Sequence, residues 1–350
     1  MPRTGVVRHP LFIEHHMGAG HPESPFRLIS IFDMLDQEDM DGRFEAIAPR
    51  PATREEITAI HHPSYYERIE ATKGKFIFLD PDTSTCPESF DAARMAAGGT
   101  IRAVDAVMDR QVDNAFCLHR PPGHHAESNR AMGFCLFNNI AIGAAHALMR
   151  PDCRRVLIYD FDIHHGNGTQ HSFFTRSDVL YVSTHQYPYY PGTGGYREVG
   201  MERGEGFTVN IPLDYGFGDG DYTRILDEVI GPIGRQYKPD LVMVSAGYDI
   251  YEEDPLGAMR VSVKGFALIM SRMLALADEV CGGKLVAVLE GGYHIQGLTN
   301  GVKACLNAMS AAPAERPAGS PGPERPESLD NVIRQVAGIQ RPYWKNLQAD

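Results

Sequence analysis

An open α/β sheet is the fold class that this sequence predicts, and three observations point to it. Short apolar runs alternate with helical patterns through the middle of the chain. Several of those runs show little polar alternation, which is how strands of a parallel sheet covered on both faces read. Unusual polar residues gather after the runs, not before them. In an open α/β sheet that end of the strands is where ligands bind.

The first 90 residues read as helix and loop, with FRLISIFDMLD (26–36) a helix. Six runs rich in Val, Ile, Leu and Tyr then read as strands: NAFCL (114–118), RVLIYDFD (155–162), VLYVST (179–184), FTVNIPL (207–213), DLVMVSAG (240–247) and KLVAVLEG (284–291). Helical patterns fall between them at 134–150, 220–237 and 264–281. Strand, helix, strand repeated in this way implies helices on both faces of one sheet. Pro313, Pro317, Pro321, Pro323 and Pro326 exclude a helix interior from the stretch 311–328. It reads as a surface connection to a short last helix over 329–350. No internal repeat is present, and the expectation is a single domain over 1–350 with its chemistry between 119 and 297.

The 350 residues are 43% hydrophobic, enough for a large core, and carry a net charge of -12. An acidic chain without basic clustering argues against a general nucleic-acid binder. No run approaches the roughly 20 apolar residues of a membrane span, and the N-terminus lacks the apolar core of a signal peptide. The six cysteines are scattered without a CxxC pair. They read as buried free thiols of a cytoplasmic protein.

The chemistry starts at YDFDIHHGNGTQ (159–170). In an extended chain residues two apart share a face, so Asp160, Asp162 and His164 point one way while Phe161 and Ile163 enter the core. Adjacent buried carboxylates repel, and a cation between them removes the conflict. Aspartate oxygen and histidine nitrogen are both ordinary zinc ligands. Three further strands end in comparable residues: Asp249 after LVMVSAG, His124 and His125 after RPPG, and Tyr293 after LEGG. Glycines at 123, 166, 291 and 292 permit the turns that crowd these groups together. Asp162, His164 and Asp249 make a three-ligand set, which leaves zinc an open position, the mark of a catalytic site. His124 and His125 suit acid and base work near neutral pH, and Tyr293 suits an oxyanion. The set specifies hydrolysis of an amide-like bond. His124 would take the proton of water and His125 would protonate the amine, an order the sequence leaves open. The doublets His15–His16 and His61–His62 lack a nearby carboxylate and are read as non-ligands.

RPPGHHA, GFCLFNN, DFDIHHGNGTQ, SAGYD, DPLG and EGGY resemble the zinc-dependent histone deacetylase family, from about His21 to Gly297. The resemblance implies the arginase/deacetylase fold, a mostly parallel sheet of about eight strands. It makes Asp162, His164 and Asp249 the zinc ligands, with Asp160 the partner of His124 and Asn167 the partner of His125. Class I members carry an aspartate where Asn167 stands, so the chain is similar to class II and bacterial members, and His125 should be less basic. Tyr293 implies real turnover. Phe134, Gly133, Tyr190, Leu256 and Gly292 would line the acyl-lysine channel, and Leu256 stands where polyamine-selective members carry a gating glutamate. Arg27, in HPESPFR, would line the acetate exit or form a surface ion pair, and the loop His15–His21 would shape the mouth. Potassium is implied at two sites, one using Asp160, Asp162, His164, Ser183 and Thr184, the other Phe173, Arg176 and Val179.

These readings give a zinc amidohydrolase removing an acetyl group, preferably from the lysine side chain of a protein or peptide. Rivals are an acetylpolyamine amidohydrolase, an arginase-like two-metal enzyme, and an acetyl-lysine reader without turnover. An Asp2His set would also accept iron(II) or cobalt(II). A homo-oligomer is compatible with the sequence; its state, the acyl length and the natural substrate are left open.

Overall fold

The computed structural model describes residues 2–347. Among the described residues ten strands form: β1 (Thr4–Val7), β2 (Glu45–Ala46), β3 (Ile77–Phe78), β4 (Ser84–Thr85), β5 (Asn114–Cys117), β6 (Val156–Asp160), β7 (Val179–Gln186), β8 (Thr208–Leu213), β9 (Leu241–Ala246) and β10 (Leu285–Leu289). Eight make one sheet in the order β2-β1-β5-β10-β9-β6-β7-β8. Every ladder in that sheet is parallel. β3 and β4 form a separate antiparallel hairpin.

The six runs expected as strands are β5 to β10. They are buried along nearly their whole length. Each Val, Leu or Ile so buried contributes about 1.5–3 kcal/mol over leaving it exposed. Helices Ser89–Met108 and Asn139–Leu148 pack on each other, as do Val263–Cys281 and Ile295–Ser310. Parallel pairing brings all carboxyl ends to one edge of the sheet, and that edge holds the residues of interest.

Some boundaries differ from the sequence expectation. The helix expected over 134–150 begins only at Asn139, where Asn138 caps it by accepting from the Ala141 N–H. The helix expected over 220–237 is interrupted by a wider turn at Leu226–Ile230. The last helix spans Pro326–Gln340 and starts on a proline, which is tolerated where no N–H is needed. Residues 348–350 of the expected last helix lie outside the described residues. The proline-rich connection is tied down in part: Glu324 accepts from the Gly220 N–H at 3.1 Å. All six cysteines are free and buried. No helix among the described residues is long and apolar enough to cross a membrane.

Candidate active site

β6 ends at Asp160, so the next four residues are not extended and the same-face argument does not apply to them as drawn. The chain bends instead, and hydrogen bonds aim the side chains. The Asp162 N–H donates to Asp160 Oδ1 at 3.1 Å, and the His164 N–H donates to Asp162 Oδ1 at 2.9 Å. The Ile163 N–H reaches across to Asp249 Oδ1 at 2.9 Å. Phe161 and Ile163 are fully buried in the core.

The bend brings three donor groups together. His164 Nδ1 lies 3.1 Å from Asp162 Oδ1 and 3.2 Å from Asp249 Oδ2. One donor atom from each of Asp162, His164 and Asp249 falls within 4.8 Å of the others. Gly291 closes the far side, its N–H donating to Asp162 Oδ2 at 2.8 Å. Asp249 Oδ2 is buried and accepts no hydrogen bond, for the imidazole nitrogen beside it is not aimed at it. A buried, unpaired carboxylate oxygen costs several kcal/mol unless a cation meets it. Two carboxylates and one imidazole nitrogen, with one oxygen unpaired, fit a divalent ion such as zinc.

Electrostatics express the same conflict. Burial, then the charge of Asp162, pushes the Asp249 carboxyl up to about 7. Burial also opposes ionisation of Asp162, but His124 and His164 hold its carboxyl below the usual range. Burial would lower the His164 imidazole; the nearby Asp162 and Asp249 carboxylates outweigh this and raise it to about 9.

The tandem histidines stand beside the trio in different company. His124 Nδ1 is 3.0 Å from Asp160 Oδ2, an oxygen that also accepts from the Tyr181 hydroxyl at 3.2 Å. Burial lowers His124, yet Asp162 and Asp160 together lift it to about 10. His125 Nδ1 is 2.9 Å from Asn167 Oδ1. Burial and the charges on His124 and His164 hold His125 well below its ordinary value, and the Asn167 amide offsets little of this. The two rings are 4.0 Å apart.

Aromatic side chains wall the approach. Phe134 takes the left-handed φ of +69° after Gly133, and its ring meets His21 edge-on at 4.7 Å and Tyr293 at 5.9 Å. Tyr190 meets His125 edge-on at 5.1 Å. Tyr189, which sequence reading passed over, stacks on His164 at 5.5 Å and donates to the Leu256 carbonyl at 3.1 Å. Asp254 joins this wall to the tyrosine turn: it accepts from the Leu256 N–H at 3.0 Å and from the Tyr293 N–H at 2.6 Å. Gly292 has φ of +115°, a conformation that disfavours any side chain there.

Arg27 is not in a surface ion pair. It is fully buried and donates to Glu23 Oε1 at 2.9 Å and to the carbonyls of Gly292 and Glu290 at 2.6 Å each. Helix Phe26–Leu35 turns it inward, so it braces the tyrosine turn from beneath, with its guanidinium 5.1 Å from the Tyr293 ring. His15 is also buried, 2.7 Å from Ser89 Oγ, and His61 bonds the Glu127 carbonyl at 2.9 Å. Neither joins the ligand trio. Of the residues named for potassium, Ser183 Oγ pairs with His185 Nδ1 at 2.8 Å, Thr184 Oγ1 with the Tyr159 hydroxyl at 3.0 Å, and Arg176 with Asp178. Val179 opens β7 and Phe173 lies under the Arg176 guanidinium.

Glu290 was missed from sequence. It is fully buried and accepts from the N–H groups of Gly123 at 2.7 Å and His124 at 3.2 Å, and from Ser245 Oγ at 3.1 Å. A glutamate ending an apolar strand was the available clue.

Comparison with known proteins places the chain in a family. A family model described as the histone deacetylase domain matches residues 21–309. A probable deacetylase of Archaeoglobus fulgidus is 41% identical, over 98% of this chain and 99% of its own length. Histone deacetylase HDA1 of Saccharomyces cerevisiae and polyamine deacetylase HDAC10 of Homo sapiens are each 36% identical over 93% of the chain. The chain spans only 49% and 50% of those two proteins. The crystal structure of the HDA15 HD domain superposes with a TM-score of 0.90 at 33% identity, covering 99% of this chain and 96% of that one. With a family model over residues 21–309 and a relative 41% identical over almost the whole length of both chains, the chain belongs to the histone deacetylase family.

Proposed function

We propose that this chain is a zinc-dependent deacetylase whose substrate is the acetyl amide of a lysine side chain in a protein or peptide. The observation that carries the reading is the unpaired buried Asp249 oxygen within the Asp162–His164–Asp249 trio, next to two histidines of opposite basicity. A zinc ion held by the trio would supply an acidified water and a polarised acetyl carbonyl. The chain's own residues do the rest. His125 faces an amide and two imidazoles, so it is the neutral ring free to take a proton from water and return it to the leaving amine. His124 is paired with Asp160, which favours its charged form, and in that form it would stabilise developing negative charge. That reverses the order expected from sequence, because a carboxylate, Asp160, meets His124 whereas an amide, Asn167, meets His125. The Tyr293 hydroxyl, held protonated by burial, donates to the oxyanion. Phe134, Gly133, Tyr190, Leu256 and Gly292 enclose the substrate stem, and Arg27 supports the floor.

The same reading takes 1–350 as one catalytic domain of the cytoplasm. It places potassium near Asp160, Asp162, His164, Ser183 and Thr184, and near Phe173, Arg176 and Val179. An acetylated polyamine is the second substrate, favoured by two carboxylates, Asp80 and Asp82, close enough to influence Tyr190 at the channel mouth.

The test is acetate release by zinc-loaded protein from an acetyl-lysine peptide and an acetylated polyamine, side by side. Tyr293→Phe should lower kcat on the order of 10²–10³-fold, the usual loss for an oxyanion donor. Asp249→Ala should abolish turnover by removing a ligand. Preference for the polyamine would reassign the substrate; no turnover of either compound by metal-loaded protein would refute the reading.

A further inference from the structure

A cleft of about 640 Å³ opens beside the channel wall. Arg68, Arg130 and Ala131 line it with Ile77, Phe78 and Leu79 of the β3–β4 hairpin. The hairpin is hydrogen bonded to the channel, since the Phe134 N–H donates to Thr83 Oγ1 at 3.0 Å. Ala131 precedes the channel residues Gly133 and Phe134 by a short step of chain. Tyr190 of the opposite wall feels the charge of Arg130. The cleft therefore adjoins the Gly133–Phe134 wall of the proposed active site through Ala131 and the hairpin.

Its chemistry is unlike the rest of the surface. The protein carries 45 acidic and 33 basic side chains. Yet two guanidinium groups, Arg68 and Arg130, line the cleft, and the Lys75 ammonium lies 3.0 Å from the carbonyl of Ala71 on its wall. Arg130 reaches Glu127 only at 3.3 Å, and Arg68 spends its guanidinium on the Asn129 carbonyl and the Tyr65 ring. Among the described residues neither Arg68 nor Lys75 has a carboxylate in ion-pair range. Alongside them Phe78, on the cleft wall, is 85% exposed. Cations beside bare aromatic rings suit an anionic chain that also carries an apolar side chain.

We propose that this cleft takes the stretch of substrate peptide next to the acetyl-lysine, and that the preferred stretch is acidic with an apolar residue. The inference rests on the lysine-deacetylase reading and narrows its substrate class. Asp80 and Asp82, next along the hairpin, are outside the cleft lining and pair with neither Arg68 nor Arg130, so a strongly basic flanking stretch would meet like charge in the cleft and is not the favoured occupant.

The experiment uses zinc-loaded full-length protein and peptides of one length. Positions two to four from the acetyl-lysine, on either side, carry Asp, Ser or Arg. The readout is the ratio of kcat/KM for the Asp and Arg peptides, within which any folding defect of a variant cancels. It should favour Asp by roughly five- to tenfold, the scale of a few exposed ion pairs, and shrink in 0.5 M salt. The Arg68→Glu/Arg130→Glu protein should bring the ratio to one or below. Phe78→Ser should erase the advantage of Leu over Ala among the flanking residues. Equal rates, or an Arg preference, in the unaltered protein would overturn the proposal, as would an Asp preference that survives in the double variant. Acetyl-lysine amide, which has no flanks, separates the two levels: if it is turned over in those cases, only the cleft assignment falls. If no acetyl-lysine compound is turned over, the functional reading falls and the cleft assignment with it.

Discussion

Replacing Gly291 with alanine should disable the metal site without unfolding the protein. A Cβ at 291 would stand 2.2 Å from Asp249 Oδ2 and 2.5 Å from Asp162 Oδ2. Ordinary contact begins near 3.4 Å, so at least one carboxylate must retreat by about 1 Å. The backbone cannot retreat for them: the Gly291 N–H is bonded to Asp162, and its carbonyl accepts from the Tyr248 N–H at 3.0 Å. A displacement of about 1 Å at a catalytic group costs on the order of 10²-fold in rate. Overpacking of this kind costs about 1–3 kcal/mol in stability, a loss of a few degrees in Tm for a chain this large. Gly291→Ala protein should therefore melt a few degrees lower, bind zinc at least tenfold more weakly in competition with a chromophoric chelator, and turn over about 100-fold more slowly at saturating zinc. Native zinc affinity together with native kcat would refute the claim that these two oxygens hold the ion.

Two further outcomes follow from the charge environment. Asn167→Asp sets a carboxylate against the nitrogen that Asn167 now meets with an amide, which favours the imidazolium form of His125. The acid limb of kcat/KM against pH should move to higher pH, and an unmoved limb would exclude His125 as the base. The second outcome concerns acid stability. Burial opposes ionisation of Glu23, but Arg120 and Arg27 hold it down to about 2 from an ordinary 4.5. Its contribution is fully present above pH 4.5 and is lost as pH falls toward 2, roughly 3 kcal/mol in all. His15, lowered to about 3 chiefly by burial, acts in the same direction. It stays neutral when folded, whereas the unfolded chain takes up its proton below 6.5. Urea midpoints should fall steadily from pH 6 to pH 3, and fall less in Glu23→Gln protein; a flat profile would contradict both assignments.

The central strands and the ligands were legible because each is announced locally. An apolar run closes in DFDIH or SAGYD, and the pattern needs no partner to be seen. The short strands β1 and β2, at one end of the sheet, were not legible. They are four and two residues long and become strands only by pairing with β5 and with each other. Helix Ser89–Met108 escaped notice because it is buried on most of its circumference and so lacks a polar face of regular period. The burial of Arg27 was not legible for a related reason: a charged residue is expected at the surface, and Glu23, which Arg27 shares with Arg120, becomes a buried counter-charge only in the folded state. Glu290 was invisible as a ligand to backbone because its partners, Gly123 and His124, lie far back in the sequence.

The strand order carries a consequence for how the molecule comes into being. β10 lies between β5 and β9, pairing Leu285 with Asn114 on one side and with Val242 on the other. Until β10 is made, the sheet exists as two pieces, β2-β1-β5 and β9-β6-β7-β8. The metal trio belongs wholly to the second piece, whereas the tandem histidines follow β5 in the first. The last strand synthesised is thus a keystone, and pairings of such long sequence separation are slow to form. A nascent chain halted before residue 285 would already own every ligand of the ion but none of the assembled chemistry. During synthesis, metal capture can precede enzymatic competence, and one late strand joins the two.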